Sequence, residues 1–342
     1  MAARHHTVPQ HYLRNFADVS GHIRLVDRDD PTKSFNSTVK KAAAERGFYR
    51  IETGDLALEI DRAHHNPEAV EAALSAIEGA VAPTIQKVVE LGLTQLTDND
   101  WYRLIQFATL QTVRGNRWRN DFAALATHSA RTSLLAELDN EQIRTWLTEQ
   151  RLPAGPEAIA DFRDSLRSSR FPRVIPPQAL LVQESLKMAF GNPDVGDIGL
   201  GRFLAEKKIE LIRTSHTPVL TSDEPVCWWS PGQSPIGYAT AQVVWVPLSP
   251  RLILQFREPT FDSAANGLPG TSDALASSVN RLVAAQAERW IMHHPGDNPL
   301  KGVQLPERGR WGDELVAVHE DTDGNRSETY LYRRFQPNNH PE

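Results

Sequence analysis

The stretch Lys208-Ile209-Glu210-Leu211-Ile212-Arg213 decides the fold class, because its apolar residues fall at every second position. That period of two is the mark of a half-buried strand. Two further β-rich runs follow, Gln242-Val243-Val244-Trp245-Val246-Pro247 and Leu252-Ile253-Leu254-Gln255-Phe256. The segment Pro247-Leu248-Ser249-Pro250 is a tight connection between them. Upstream of 207 the pattern is different. Val70, Ala73, Leu74, Ile77 and Val81 form a helical stripe after Pro67, and Pro83 begins a second segment or kinks the first. Thr97-Asp98-Asn99-Asp100 supplies capping oxygens for the next helix. Further helices are expected at 140–150, 156–169, 176–190 and 197–206.

Outside this block, Pro9 suits the first turn of a short helix carrying Tyr12, Leu13 and Phe16. Residues 22–28 alternate as a strand, and 48–51 are a short strand or extended segment. Downstream, Asp273 caps a long helix over 273–294. Glu314–His319 and Thr329–Tyr332 pair as a hairpin across Asp323-Gly324. Strands and helices are therefore segregated, and the fold class is α+β. Three regions are expected. Residues 1–66 form an N-terminal β/helix element packing on the C-terminal sheet, and 67–206 form a helical block. Residues 207–342 form a mostly antiparallel sheet with one long helix, in one integrated fold with a polar tail.

Composition excludes several classes. Lys+Arg 37 against Asp+Glu 43 gives a net charge of −6, so there is no global basic field for nucleic acid. One cysteine in 342 residues excludes an internal disulfide framework and any zinc site needing two cysteines. No apolar run of roughly 18 residues is present, so no membrane span is expected. The first ten residues carry no apolar signal core, which points to a cytoplasmic protein. No Gly-x-Gly-x-x-Gly turn, P-loop, Gly-x-Ser-x-Gly elbow or His-Glu-x-x-His occurs, so four common catalytic scaffolds lack their motifs.

Several polar groups remain as candidates. His5 and His6 suit proton transfer or metal ligation; alternatively, one of them bonds the following helix start. The pairs His64-His65 and His293-His294 sit beside prolines at element ends and read as solvated residues. Thr221-Ser222-Asp223-Glu224-Pro225-Val226 follows an apolar strand. Asp223 and Glu224 suit a divalent cation or a general base, or else Ser222 and Asp223 close a turn on their own backbone. Gln111 and Arg114 share a helix face, with Arg117 extending the row towards Arg119. They suit a phosphate or carboxylate, or Arg114 pairs with a buried acid such as Glu78. Trp228 and Trp229, with Trp245, either stack a ligand or fill a core beside Cys227.

Taken together, these residues resemble the bacterial family catalogued as domain of unknown function 4238. The resemblance rests on His5-His6-x-Val8-Pro9-x-x-Tyr12-Leu13-Arg14-x-Phe16, on Gly47-Phe48-Tyr49, and on Glu78 and Gln111-x-x-Arg114. It continues through Leu220-Thr221-Ser222-Asp223-Glu224-Pro225-Val226, Pro247-Leu248-Ser249-Pro250 and Asn280. Glu224 departs from the asparagine expected there. The resemblance brings no reaction with it. It implies that His5, His6, Glu78, Gln111, Arg114, Ser222, Asp223 and Asn280 assemble either as one site or as a buried polar network. The expected function is an enzyme performing hydrolysis or group transfer on an anionic, phosphate-containing or nucleotide-like substrate. His5, His6 and Asp223 are its catalytic candidates, with His6 and Asp223 also candidates for a divalent metal. Gln111, Arg114, Ser222 and Asn280 are the substrate-binding candidates, and Glu78 and Tyr12 the structural network. The alternative is a non-catalytic ligand- or partner-binding module of a bacterial stress or phage-conflict system.

Overall fold

A computed structural model describes residues 4–52, 66–167, 172–191, 197–232, 237–320 and 326–335. His64, His65 and the Asp323-Gly324 turn lie outside the described residues. Two compact units are present, one within 1–119 and 178–309, the other within 120–177 and 310–335.

In the first unit the chain opens with β1 (Arg4–His6), α1 (Gln10–Leu13) and a 3₁₀ turn, Arg14–Phe16. Then come β2 (His22–Asp27), β3 (Ser34–Thr38) and β4 (Ala44–Arg46). The expected extended segment at 48–51 is not a strand. The strand lies a few residues earlier, because Ala44–Arg46 pairs antiparallel with Arg4–His6, and Gly47 (φ +62°) then turns the chain away. Helices α2 (Ala69–Leu91) and α3 (Asp98–Val113) follow, then α4 (Asn116–Glu137), which belongs to the second unit from Asn120 on. Helix α2 runs unbroken through Pro83. Thr97 and Asp100 form a reciprocal capping box at the start of α3.

Helices α5 (Asn140–Glu149) and α6 (Pro156–Arg167) belong to the second unit, where Ile143, Leu147 and Ile159 form a small core of their own. After them come α7 (Gln178–Phe190) and α8 (Gly201–Ala205), in the first unit. Strands β5 (Lys208–Arg213), β6 (Thr221–Ser222), β7 (Cys227–Trp229), β8 (Val243–Ser249) and β9 (Leu252–Arg257) then precede α9 (Ser272–Gln286) and β10 (Trp290–His293). The second unit also holds the hairpin of β11 (Arg310–Glu320) and β12 (Arg326–Phe335), paired antiparallel.

Among the described residues all strand pairings are antiparallel, among helices from separate parts of the chain, so the fold class is α+β. Two four-stranded sheets carry the first unit, in the orders β3-β2-β10-β6 and β5-β9-β8-β7. In the second sheet β8 is covered on both faces. Val244 and Val246 pack with Val81, Ile85 and Leu104 of α2 and α3. Val243 and Trp245 pack with Leu275, Val279 and Val283 of α9. A strand buried on both faces reads as a continuous apolar run, as 243–248 does.

The helix expected over 273–294 ends at Gln286, because Trp290–His293 is taken up as a strand between β2 and β6. Its cap is Thr271, whose side chain accepts the Ala274 N–H. Asp273 instead accepts the N–H groups of Ser215, His216 and Thr217. The pairing of β2 with β10 joins the N-terminal element to the C-terminal half. Tyr12 reinforces it from α1: its buried hydroxyl donates to the Pro247 carbonyl (2.6 Å) and lies 2.7 Å from Thr221 Oγ1. No helix among the described residues is long and apolar enough to cross a membrane.

Candidate functional site

Strand β1 places His5 and His6 against the start of α2 and the end of α3. His5 is fully buried, and its ring stacks on Tyr49 (5.8 Å between centroids, 13°). Its Nδ1 accepts the Tyr49 N–H at 2.8 Å. An acceptor at Nδ1 puts the proton on Nε2, which donates to Glu68 Oε2, also at 2.8 Å. That bond, helped by Arg50, holds the Glu68 carboxyl below its usual range. Both ring nitrogens of His5 are therefore committed.

Arg114 caps the C-terminus of α3 and is buried. Its Nε donates to Tyr49 Oη (3.0 Å), Nη1 to Glu78 Oε1 (2.7 Å) and Nη2 to the His6 carbonyl (2.6 Å). Tyr49 Oη in turn donates to the Arg114 carbonyl. Burial disfavours the charge, but Tyr49 and Glu78 outweigh it and hold the guanidinium proton above the ordinary arginine range. The planar fork is thus spent inside the protein, and Arg114 is not presented as an anion clamp. Arg119 is likewise engaged, over the Phe48 ring (3.5 Å) and on the Phe48 carbonyl (2.7 Å). The predicted arginine row does not form an open basic face.

Beside this saturated network lies a set of polar atoms with no partner. Gln111 is 2% exposed, one turn before Arg114, and neither Oε1 nor Nε2 has a hydrogen-bond partner. His11 Nε2 and Glu71 Oε2 are buried and unpartnered in the same way. Leaving such a group unpaired costs about 1–3 kcal/mol. His11 sits on α1, with its ring 6.4 Å from Phe107, which lies one turn before Gln111 on α3. The charges of Glu78 and Arg114 act on His6, His11 and Glu71 alike. Burial lowers the pKa of His6 and His11 and raises that of Glu71. At neutral pH this favours uncharged imidazoles and a carboxyl that keeps its proton longer than usual. His6 Nε2 donates to the Lys40 carbonyl at 3.1 Å.

Sequence reasoning missed His11, Glu71 and Tyr49 as members of this cluster. One signal was present for Glu71. It lies seven residues before Glu78 on one helix, and that spacing returns to the same face.

The second predicted constellation sits elsewhere. Ser222 Oγ accepts the Glu224 N–H at 3.0 Å. Asp223 accepts the N–H groups of Glu288 (3.0 Å), Arg289 (2.7 Å) and Trp290 (3.0 Å), locking the bend before β10. Burial pushes its carboxyl up to about 6 against the pull of those three bonds. Asn280 bridges Leu220 N–H (2.9 Å) and the Pro218 carbonyl (2.8 Å). Glu224 Oε1 accepts the Arg117 N–H at 2.8 Å at the start of α4, where a Cβ on Gly115 would overlap the carboxylate. Burial, then Asp223, raises Glu224 well above its ordinary range.

Among the described residues no hydrogen bond or ion pair joins Ser222, Asp223 or Asn280 to His5, His6 or Arg114. The residues expected to assemble as one site or as a buried polar network fall into two sets. His5, His6, Glu78, Gln111 and Arg114 come together; Ser222, Asp223 and Asn280 tie backbone segments. Among the described residues no group of three or more His, Cys, Asp or Glu side chains is placed to hold a metal ion. Trp229 and Trp245 lie in the core, and Trp245 Nε1 donates to Gln255 (2.7 Å). Trp228 is half-buried under Arg117.

The family model described as "Protein of unknown function (DUF4238)" matches residues 4–297. The chain belongs to that family. No curated protein and no solved structure matches it.

Proposed function

We propose that this protein binds a small polar molecule at the cluster of His6, His11, Glu71 and Gln111, and acts on it by hydrolysis or group transfer. The observation that carries the reading is the buried, wholly unpartnered amide of Gln111. Native cores pair nearly every buried polar atom, so an unpaired donor and acceptor on one side chain invite a ligand. The half-exposed side chains of His6, His11 and Glu71 supply the approach from solvent. His11 and Glu71 are the proton-transfer pair. A neutral imidazole takes a proton at Nε2, and a carboxyl with a raised pKa gives one up. Gln111 positions the substrate, and the Glu78–Arg114 pair sets the field around it. His6 stays beside the pair rather than on a metal.

A second reading has its own support. Arg114 and Asp223, the expected anion clamp and a catalytic candidate, spend their polar atoms on protein partners. A module that binds without catalysing fits that saturation.

Turnover decides between them. The full chain is incubated with nucleosides, nucleotides and simple amides and esters, and products are followed by mass spectrometry. The expected result is turnover in the wild type that falls about 10²-fold or more in His11→Gln and in Glu71→Gln, with both variants folded. Turnover unchanged in both variants refutes the acid–base pair. Ligand stabilisation without turnover selects the binding module.

A further inference from the structure

The atoms left unpaired also say what kind of molecule belongs there. Gln111 offers an N–H donor and a carbonyl acceptor side by side in one plane, and it is the most buried member of the cluster. Charge is balanced nearby without any ligand, since Glu78 faces Arg114 at 2.7 Å and Glu68 faces Arg50 at 2.8 Å. The buried guanidinium beside Gln111 is not open to a phosphate, because Arg114 gives Nε, Nη1 and Nη2 to Tyr49, Glu78 and His6, and the other arginine acting on His11, Arg14, is exposed to solvent. Ring faces stand close by, because Phe107 shares the Gln111 face of α3 and lies 5.3 Å from Tyr12 and 6.4 Å from His11. His11 and Glu71 are only partly buried as side chains, yet both turn an unpartnered polar tip inward instead of to water.

Resting on the binding reading above, we propose that the ligand is uncharged and planar and presents an amide edge, an N–H beside a C=O, which pairs with the side-chain amide of Gln111. A nucleobase and a primary carboxamide both carry that edge. A site with buried donors and acceptors rejects analogues that cannot pair with them, and this makes the class testable.

The probes are uracil and nicotinamide, each beside its N-methylated counterpart (1,3-dimethyluracil and N,N-dimethylnicotinamide), with inorganic phosphate as the charged control. Binding to the full chain is measured by calorimetry and by thermal shift. The expected result is that uracil or nicotinamide binds, and that its methylated form binds roughly tenfold or more weakly, the loss of one hydrogen bond. Which of the two binds distinguishes a base from a carboxamide. Gln111→Leu should abolish the discrimination while keeping the melting temperature at or above that of the wild type, since removing an unpaired amide relieves rather than breaks the core. Phosphate binding that depends on Gln111, with no amide probe bound, overturns the amide edge and leaves the binding reading standing. Gln111→Leu that stabilises the chain while no probe binds the wild type overturns both.

Discussion

Replacing Arg114 by lysine separates a structural guanidinium from a ligand-binding one. Lysine keeps the positive charge and can hold the ion pair with Glu78. It cannot reproduce the fork that also reaches Tyr49 Oη at 3.0 Å and the His6 carbonyl at 2.6 Å. The ion pair is retained, so only those two contacts enter the arithmetic. A buried hydrogen bond from a charged donor contributes about 1.5–3 kcal/mol, and its loss leaves a buried acceptor unpaired. Two such losses put the cost at about 3–6 kcal/mol, overlapping the roughly 3–5 kcal/mol of breaking a buried ion pair outright. The assay is urea denaturation followed by tryptophan fluorescence and circular dichroism, with and without inorganic phosphate. A loss of this size, unaffected by phosphate, is expected. A loss below about 0.5 kcal/mol, or phosphate stabilisation present in the wild type and absent in Arg114→Lys, would refute the reasoning and return Arg114 to the role of an anion clamp.

Two more predictions concern the joints of the fold. Tyr12→Phe removes the hydroxyl between the Pro247 carbonyl and Thr221, leaving a buried carbonyl unpaired; a loss of about 1–3 kcal/mol is expected in the same titration, and an unchanged midpoint would show the joint to be idle. Glu224→Gln keeps an oxygen for the Arg117 N–H but removes a charge that burial disfavours. Because the folded pKa is raised, the penalty is fully present above that pKa and vanishes as pH falls below the ordinary value of 4.5. Glu224→Gln should therefore raise the melting temperature at pH 8 and bring no gain at pH 4. A lower melting temperature at pH 8 would mean that the negative charge at the start of α4 outweighs its burial.

Local pattern carried much of the architecture. The alternation of 208–213, the doubly apolar run 243–248 and the stripe of α2 each state their own element, because period and propensity act within a few residues. Two boundaries went astray for one shared reason. Ala44–Arg46 and Trp290–His293 depend on which segment lies alongside, and pairing partners tens or hundreds of residues away override a short-range signal. The cap at Thr271 is a local contact, while Asp273 is drawn to the N–H groups of 215–217.

The candidate site divides in the same way. By itself the sequence determined the residue types able to carry chemistry and part of their grouping, Gln111 with Arg114 by helical spacing; it offered Glu78 as one of two partners for that arginine. Only the tertiary structure decided which polar atoms are used up. Asp223 read from sequence as a catalytic candidate or a turn residue, and Arg114 as an anion clamp or a partner of Glu78; the polar atoms of both are bound to partners from other segments. Gln111, His11 and Glu71 drew less notice and keep theirs unpaired. Hydrogen-bond satisfaction is a property of neighbours in space, and the chain order of a residue says nothing about whether its last lone pair has been met.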